Sequence, residues 1–322
     1  MRTPGTSEAA QGGGDGAGYF KKSCGHLLTA TIAERCQFIR QQQSHYPIQV
    51  LCKAMQVSRS AYYQQLEPKA PNAKARQVEA KITAVFRAHK RRYGVRRICA
   101  ELREKQIHVG RHRCRRVLKE HGLKAIQPRS YVPRTTQSRH PYPISPNLLL
   151  ERAAPVKPNE VWVGDITYLP LSGGEWAYLA VWMDLYSRRI VGWQVESHMR
   201  EELVKASLNK ALQTRGIKPG LIMHSDRGGQ YAGSRFRALL RKRKIAQSMS
   251  RADDPYDNAA MESFFSRLKA ELLENGMFEN LEDARTEIFE YIEMYYNTHR
   301  KHSALNYQSP MEYENHYFYS LT

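Results

Sequence analysis

The sequence predicts an α/β fold, a mixed sheet flanked by helices, preceded by all-α helix-turn-helix modules. Three observations predict it. Apolar residues in the first half recur at helical spacing, whereas the second half opens on three strand-like runs before helices and strands alternate. Charge divides at the same point. Residues 1–157 hold 30 Lys/Arg against 9 Asp/Glu, and residues 158–322 hold 20 against 22. The whole net charge of +19 therefore lies in the first half. A basic half joined to a near-neutral half points to a polyanionic partner, and to nucleic acid rather than a membrane surface. No run approaches the ~18 apolar residues of a membrane span. Met1 to Phe20 also lacks the apolar centre of a signal peptide. A soluble intracellular protein with no membrane partner is expected.

At 322 residues the chain has room for two or three domains with cores of their own. Residues 1–30 read as a disordered leader rich in Gly, Ser, Ala and Thr. Residues 31–68 read as an N-terminal helix-turn-helix region: Ile48, Leu51, Cys52 and Met55 give helical spacing, and Ser58 is placed to cap a second helix. That helix, starting near Arg59, would be the one facing DNA. A basic helix-turn-helix domain follows at 74–124, punctuated by Tyr93-Gly94 and Val109-Gly110 and stopped by Gly122. In its last helix Cys114, Val117 and Leu118 share one face. Arg111, Arg115, Arg116 and Lys119 lie off that face, a distribution suited to phosphate and groove contact as well as to plain solvation. Residues 125–157, rich in Pro, Ser, Thr and Arg, read as a basic linker, extended along DNA when bound. The five cysteines (Cys24, Cys36, Cys52, Cys99, Cys114) contain no C-x-x-C pair and suit a reduced setting. His108 and His112 form H-x3-H but lack the further ligands of a zinc site.

The last domain, 158–315, opens with Val161 to Leu169, apolar on both faces as in a strand covered on both sides. Glu175–Asp184 and Arg188–Val195 complete a three-stranded meander. A helix over Glu201–Thr214, a strand over Leu221–Asp226, a helix over Gly233–Arg243, a strand around Gln247–Met249, and helices from Asn258 and Leu281 finish it. Asp165 interrupts an apolar strand, which is costly unless the acid meets a cation or another partner. Asp226 ends an apolar strand before Gly228-Gly229. Met261, Phe264, Phe265, Leu268 and Leu272 form the buried stripe of the next helix, and Glu262 lies on its flank with Asn258, Ser266 and Lys269. Taken singly, each acid is explained by a satisfied buried aspartate or a surface glutamate. Taken together, they form the oxygen-rich set that a hard divalent cation requires for phosphodiester chemistry.

These residues carry a resemblance. Trp162-x-x-Asp165-Ile166-Thr167-Tyr168, Asp184-x-x-Ser187-Arg188-x-Ile190-Val191-Gly192-Trp193 and His224-Ser225-Asp226-x-Gly228-x-Gln230-Tyr231 occur in order. Asp257-Asn258-Ala259-x-x-Glu262-Ser263-Phe264-Phe265 and Tyr296-Asn297-x-x-Arg300-x-His302-x-x-Leu305-x-Tyr307-x-x-Pro310 follow. Thirty-five residues separate Asp226 from Glu262, and Lys269 stands seven after the glutamate. The second half thereby resembles the ribonuclease-H-like, integrase-like catalytic core of DDE transposases. More narrowly, roughly residues 45–315 resemble the orfB product of the IS-three insertion-sequence family.

The resemblance implies a bacterial, nucleoid-associated enzyme whose Asp165, Asp226 and Glu262 hold two Mg2+ or Mn2+ ions. It implies cutting at the element's ends and joining to target DNA, with no energy cofactor. Double-stranded DNA, further copies of the chain on that DNA, and the upstream-frame protein of the same element are the implied partners. Lys269 is expected at a DNA phosphate. Asp184 reads as structural, bonding turn amides or Arg188; Asp253, Asp254 and Asp257 as helix caps; His224 and Gln230 as supports near Asp226. One departure is plain: no long heptad repeat is present, so this chain has the make-up of a catalytic subunit without its upstream fusion. Two rivals share the core: a catalytically silent DNA-binding regulator, and a nuclease for RNA–DNA hybrids, which leaves the basic first half without a purpose.

Overall fold

The computed structural model describes residues 29–66, 73–128, 141–251, 258–273 and 276–320. The leader up to residue 28, Cys24, the middle of the expected linker at 129–140, and Asp253, Asp254 and Asp257 lie outside the described residues. The chain divides into two units, residues 1–78 and 79–322.

In the first unit, α1 (Ile32–Gln42) starts at Thr31, whose side chain and that of Glu34 cap each other's backbone. The helix-turn-helix follows as α2 (Ile48–Ala54) and α3 (Arg59–Leu66). Ser58 caps α3, its hydroxyl accepting the Ala61 N–H at 3.1 Å. Ile39, Leu51, Met55 and Tyr62 close the core of this unit, and Arg59 is exposed. Helix α4 (Ala73–Ala88) leads into the second unit.

The second unit begins with the basic module. Its α5 (Val95–Glu104) and α6 (Arg111–Glu120) start at Gly94 and Gly110. Gly122, at φ +64°, turns the chain out of α6, with the Leu123 N–H donating to Leu118 O at 2.8 Å. Cys114, Val117 and Leu118 are buried. The module is bonded to the C-terminal part of the catalytic domain. The Tyr93 hydroxyl donates to His299 O at 3.0 Å and accepts the Lys301 N–H at 2.8 Å, and Arg97 Nε donates to Lys301 O at 2.8 Å. Arg92 lies 4.6 Å over the Tyr295 ring, and buried Lys301 pairs with Glu104.

The ends of the stretch expected to be a linker are held by protein. The Ile126 N–H donates to Arg91 O at 3.0 Å, and the Leu148 N–H donates to Ser248 Oγ at 2.9 Å. Ser145 meets Gln247 at 3.0 Å, so this segment runs beside an edge strand of the sheet.

That sheet has five strands: β1 (Val161–Pro170), β2 (Trp176–Asp184), β3 (Ile190–Glu196), β4 (Ile222–Ser225) and β5 (Ala246–Met249), in the order β3-β2-β1-β4-β5. The first three form the expected antiparallel meander, and β4 and β5 add in parallel. Helices cover both faces. On one side α7 (Glu201–Thr214), the short α8 (Gly229–Ala232) and α9 (Ser234–Lys242) pack on Trp162, Trp182 and Met223. On the other, α10 (Ala259–Leu272) and α11 (Leu281–Phe289), continued by a π-helical stretch over Glu290–Tyr296, pack on Val161, Val163 and Ile222. A further helix, α12 (Pro310–Tyr319), was not expected from periodicity, although Ser309 and Glu312 form a capping box around Pro310.

Candidate active site

Strand parity decides where the acids point. Side chains alternate across a strand, and Val161 and Val163 face α10 while Trp162 faces α7 and α9. Asp165 therefore falls on the α10 face. In the parallel ladder Val161 stands beside Ile222 and Val163 beside His224, so the register carried forward sets Asp165 beside Asp226. Neighbouring strands lie about 4.8 Å apart. The β1–β4 pairing ends at Val163 and His224, and the two acids sit at the fork. Gly164 is required there: a Cβ on it would come within 2.3 Å of the Trp182 ring on the opposite strand.

Helix α10 brings the third acid. Its stripe of Met261, Phe264, Phe265 and Leu268 is buried in the sheet's core and leaves Glu262 exposed. Asn258, just before the helix, donates to Gly164 O at 3.4 Å and ties the helix start to the strand position preceding Asp165. The three acids share one electrostatic neighbourhood. Burial, then the charges of Asp226 and Glu262, push the Asp165 carboxyl far above its usual range, against the Ile166 N–H and Lys269. Lys269 is half-buried; burial pulls its ammonium down and Asp165 acts the other way, so this lysine lies toward the acids.

Each aspartate has one oxygen engaged by its own turn. Asp165 Oδ1 accepts the Ile166 N–H at 2.7 Å, and Asp226 Oδ1 accepts the Gly228 N–H at 3.0 Å. The carboxylates converge without closing: among the described residues no three His, Cys, Asp or Glu side chains form a ready metal cage. The donor chemistry nevertheless fits a hard divalent cation. The set is all oxygen, negatively charged, and short of positive partners around the buried member.

The other sequence expectations sort as follows. Asp184 bonds turn amides, accepting from Asn159, Tyr186 and Ser187 at 2.7, 2.9 and 3.2 Å. Its charged side-chain neighbour is Arg215 at 3.7 Å rather than Arg188, which contributes its backbone N–H to Asp184 O at 2.8 Å. His224 Nδ1 meets Ser248 Oγ at 2.8 Å, and Gln230 donates to Met199 O at 3.1 Å, so Gln230 holds a loop rather than Asp226. His108 and His112 are both exposed. Arg111, Arg115, Arg116 and Lys119 are exposed on α6, with Arg116 3.6 Å from Glu120. No helix among the described residues is long and apolar enough to cross a membrane.

Known proteins match this arrangement. The family described as Integrase core domain matches residues 155–255, and a second family of the same description matches 243–310. One described as HTH-like domain matches 73–131. The transposase for insertion sequence element IS904 of Lactococcus lactis subsp. lactis is 43% identical over 234 residues, 73% of this chain and 92% of the relative. The transposase InsF for insertion sequence IS3A of Escherichia coli is 35% identical over 282 residues, 86% and 97% of the two chains. The chain belongs to the insertion-sequence transposases.

Another relative, the IS600 uncharacterized 31 kDa protein of Shigella sonnei, is 40% identical over 83% of this transposase and 98% of its own length. Remote likenesses include the simian T-cell lymphotropic virus intasome, with TM-score 0.40, 18% identity, and 64% of this chain and 67% of that one covered. The catalytic core of HTLV-2 integrase in complex with magnesium gives TM-score 0.39 and 16% identity over 49% and 98%. In this transposase Tyr231 went unnoticed at the level of sequence except as the end of a motif, because only the tertiary packing shows its buried hydroxyl beside two acids.

Proposed function

We propose that this transposase cleaves DNA at the ends of its element and joins the freed ends to target DNA, with Asp165, Asp226 and Glu262 as its catalytic acids. The observation that carries the reading is the common face: two acids at the β1–β4 fork and a third on the helix packed against that face. Two divalent cations, Mg2+ or Mn2+, held by these acids would activate the attacking oxygen and stabilise the leaving one. The chain itself contributes orientation. Asn258 fixes the start of α10 to β1, the Ile166 and Gly228 amides fix one oxygen of each aspartate, and Lys269 offers a positive charge for a phosphate beside the acids.

DNA is held by the exposed basic residues Arg111, Arg115, Arg116 and Lys119 of α6 and by Arg59 of α3. Joining two ends calls for more than one copy of the chain on DNA, and the upstream-frame protein of the element is a further partner. The site of action is the bacterial cytoplasm, on the nucleoid.

The test uses the full chain, Mn2+ or Mg2+, and a duplex carrying the DNA that flanks the gene. Asp226→Asn lowers nicking and strand joining by about three orders of magnitude or more, the scale of losing several kcal/mol of transition-state charge stabilisation, while duplex binding stays near wild type. A variant that still cuts sinks the assignment, and an inactive wild-type chain favours the silent regulator. In parallel, replacing Arg111, Arg115 and Arg116 by Gln weakens binding to all duplexes. The slope of log K against log salt then falls by about 0.9 for each phosphate that is no longer neutralised. An unchanged slope takes α6 out of the DNA interface.

A further inference from the structure

Tyr231 is 1% exposed, and its hydroxyl makes no hydrogen bond with any described residue. Such a group costs stability, since a phenol removed from water without a partner loses the hydrogen bonds it made there. Nothing in the surrounding core requires a phenol. The ring packs edge-on against Trp182 at 5.6 Å and Phe236 at 5.9 Å, an arrangement open to phenylalanine equally well.

The backbone around it is held firmly. The Tyr231 N–H donates to Gly228 O at 3.0 Å and its carbonyl accepts from Gln247 Nε2 at 2.7 Å. Gly228 is the same residue whose N–H holds Asp226 Oδ1. One residue thus links the aspartate and the tyrosine, and Trp182 beneath the ring is the cross-strand partner of Gly164, next to Asp165. Burial first, then the charges of Asp165 and Asp226, push the phenol well above its usual range, so the hydroxyl keeps its proton and can only serve these acids as a donor.

We propose that Tyr231 is a positioning residue for the acid pair: its hydroxyl donates to a carboxylate oxygen of Asp165 or Asp226 when a divalent cation draws the two acids into its coordination shell. This rests on the reading of those acids as metal ligands and adds a residue that touches neither cation nor DNA. Partners of this kind fix the orientation of a ligating carboxylate, and losing one typically weakens metal binding about 10–100-fold. The arrangement also explains why a costly group persists. An apolar ring would pack as well and fold better, so the hydroxyl is kept for the loaded state.

The test is Mn2+ titration of the full chain, followed by the loss of the free-ion electron paramagnetic resonance signal, on wild type, Tyr231→Phe and Asp226→Asn. Metal-free melting temperatures are measured alongside. Tyr231→Phe is expected to bind Mn2+ about 10–100-fold more weakly and, free of its unsatisfied hydroxyl, to melt about 2–4 °C higher. Duplex binding should not change. Mn2+ affinity equal to wild type in Tyr231→Phe overturns the proposal, and a lower melting temperature with that result assigns the hydroxyl to the core. Asp226→Asn separates the two levels. If it binds Mn2+ like wild type, the ligand assignment itself fails; if only Tyr231→Phe does, the acids stand and Tyr231 alone is released from the role.

Discussion

Two aspartates of one hairpin, Asp165 on β1 and Asp184 at the end of β2, meet opposite surroundings. Burial pushes both carboxyls up. Around Asp184 the protein answers with three backbone amides and Arg215, and the cluster continues through Glu314 to Arg189 and Ser187. Around Asp165 it supplies one amide and adds two further acids. A folding-only pressure would have treated the two alike. A buried acid with its lone pairs filled is part of the scaffold. One surrounded by like charge is retained for something outside the fold.

The comparison can be broken at either end, and the larger effect belongs to the satisfied cluster. Glu314 is 1% exposed and bonds Arg215, Arg189 and Ser187. Burial pushes its carboxyl up, but the hydrogen bond and charge of Arg215, with Arg189, outweigh that and hold it below its usual range. Glu314→Gln should cost about 3–5 kcal/mol, the scale for breaking a buried ion pair, read as a lower denaturant midpoint. Mn2+ affinity should not move. If metal binding fell with stability, the two clusters would not be independent.

A smaller effect sharpens the other end. The Asp165 proton is held more tightly in the folded chain than in the unfolded one. Its stabilisation is therefore complete below the usual carboxylate pKa, about 4, and is lost as pH rises through the raised value. Metal-free wild type should lose a few degrees of melting temperature between acid and neutral pH, at about 2–4 °C per kcal/mol. Asp165→Asn should flatten that slope. Equal slopes in the two proteins would mean that Asp165 is as well compensated as Asp184.

The sheet and the placing of the acids were legible because both rest on local periodicity. Val161 to Leu169 reads as a doubly covered strand, the stripe from Met261 to Leu272 orients α10, and Asp226 announces itself by ending an apolar run before two glycines. Pairings over long separations were not legible. Arg215 reaches Glu314 across 99 residues and takes the place expected of Arg188, because an ion pair leaves no periodic trace in either segment. For the same reason the hold of Ser248 on Leu148 is invisible in a stretch whose composition reads as a free linker. Helix α12 did leave a mark, the Ser309-Pro310-x-Glu312 capping box, but its ten residues are mostly polar or aromatic and show no stripe. The orphaned hydroxyl of Tyr231 is a property of packing alone.

The joint at Tyr93 distributes mutational risk unevenly. One phenol grips two peptide groups, at His299 and Lys301, rather than their side chains. Substitution at His299 therefore leaves the acceptor carbonyl in place, whereas loss of the Tyr93 hydroxyl strips both bonds at once. As sequences drift, one side of this joint is free to wander and the other is pinned to a single amino acid.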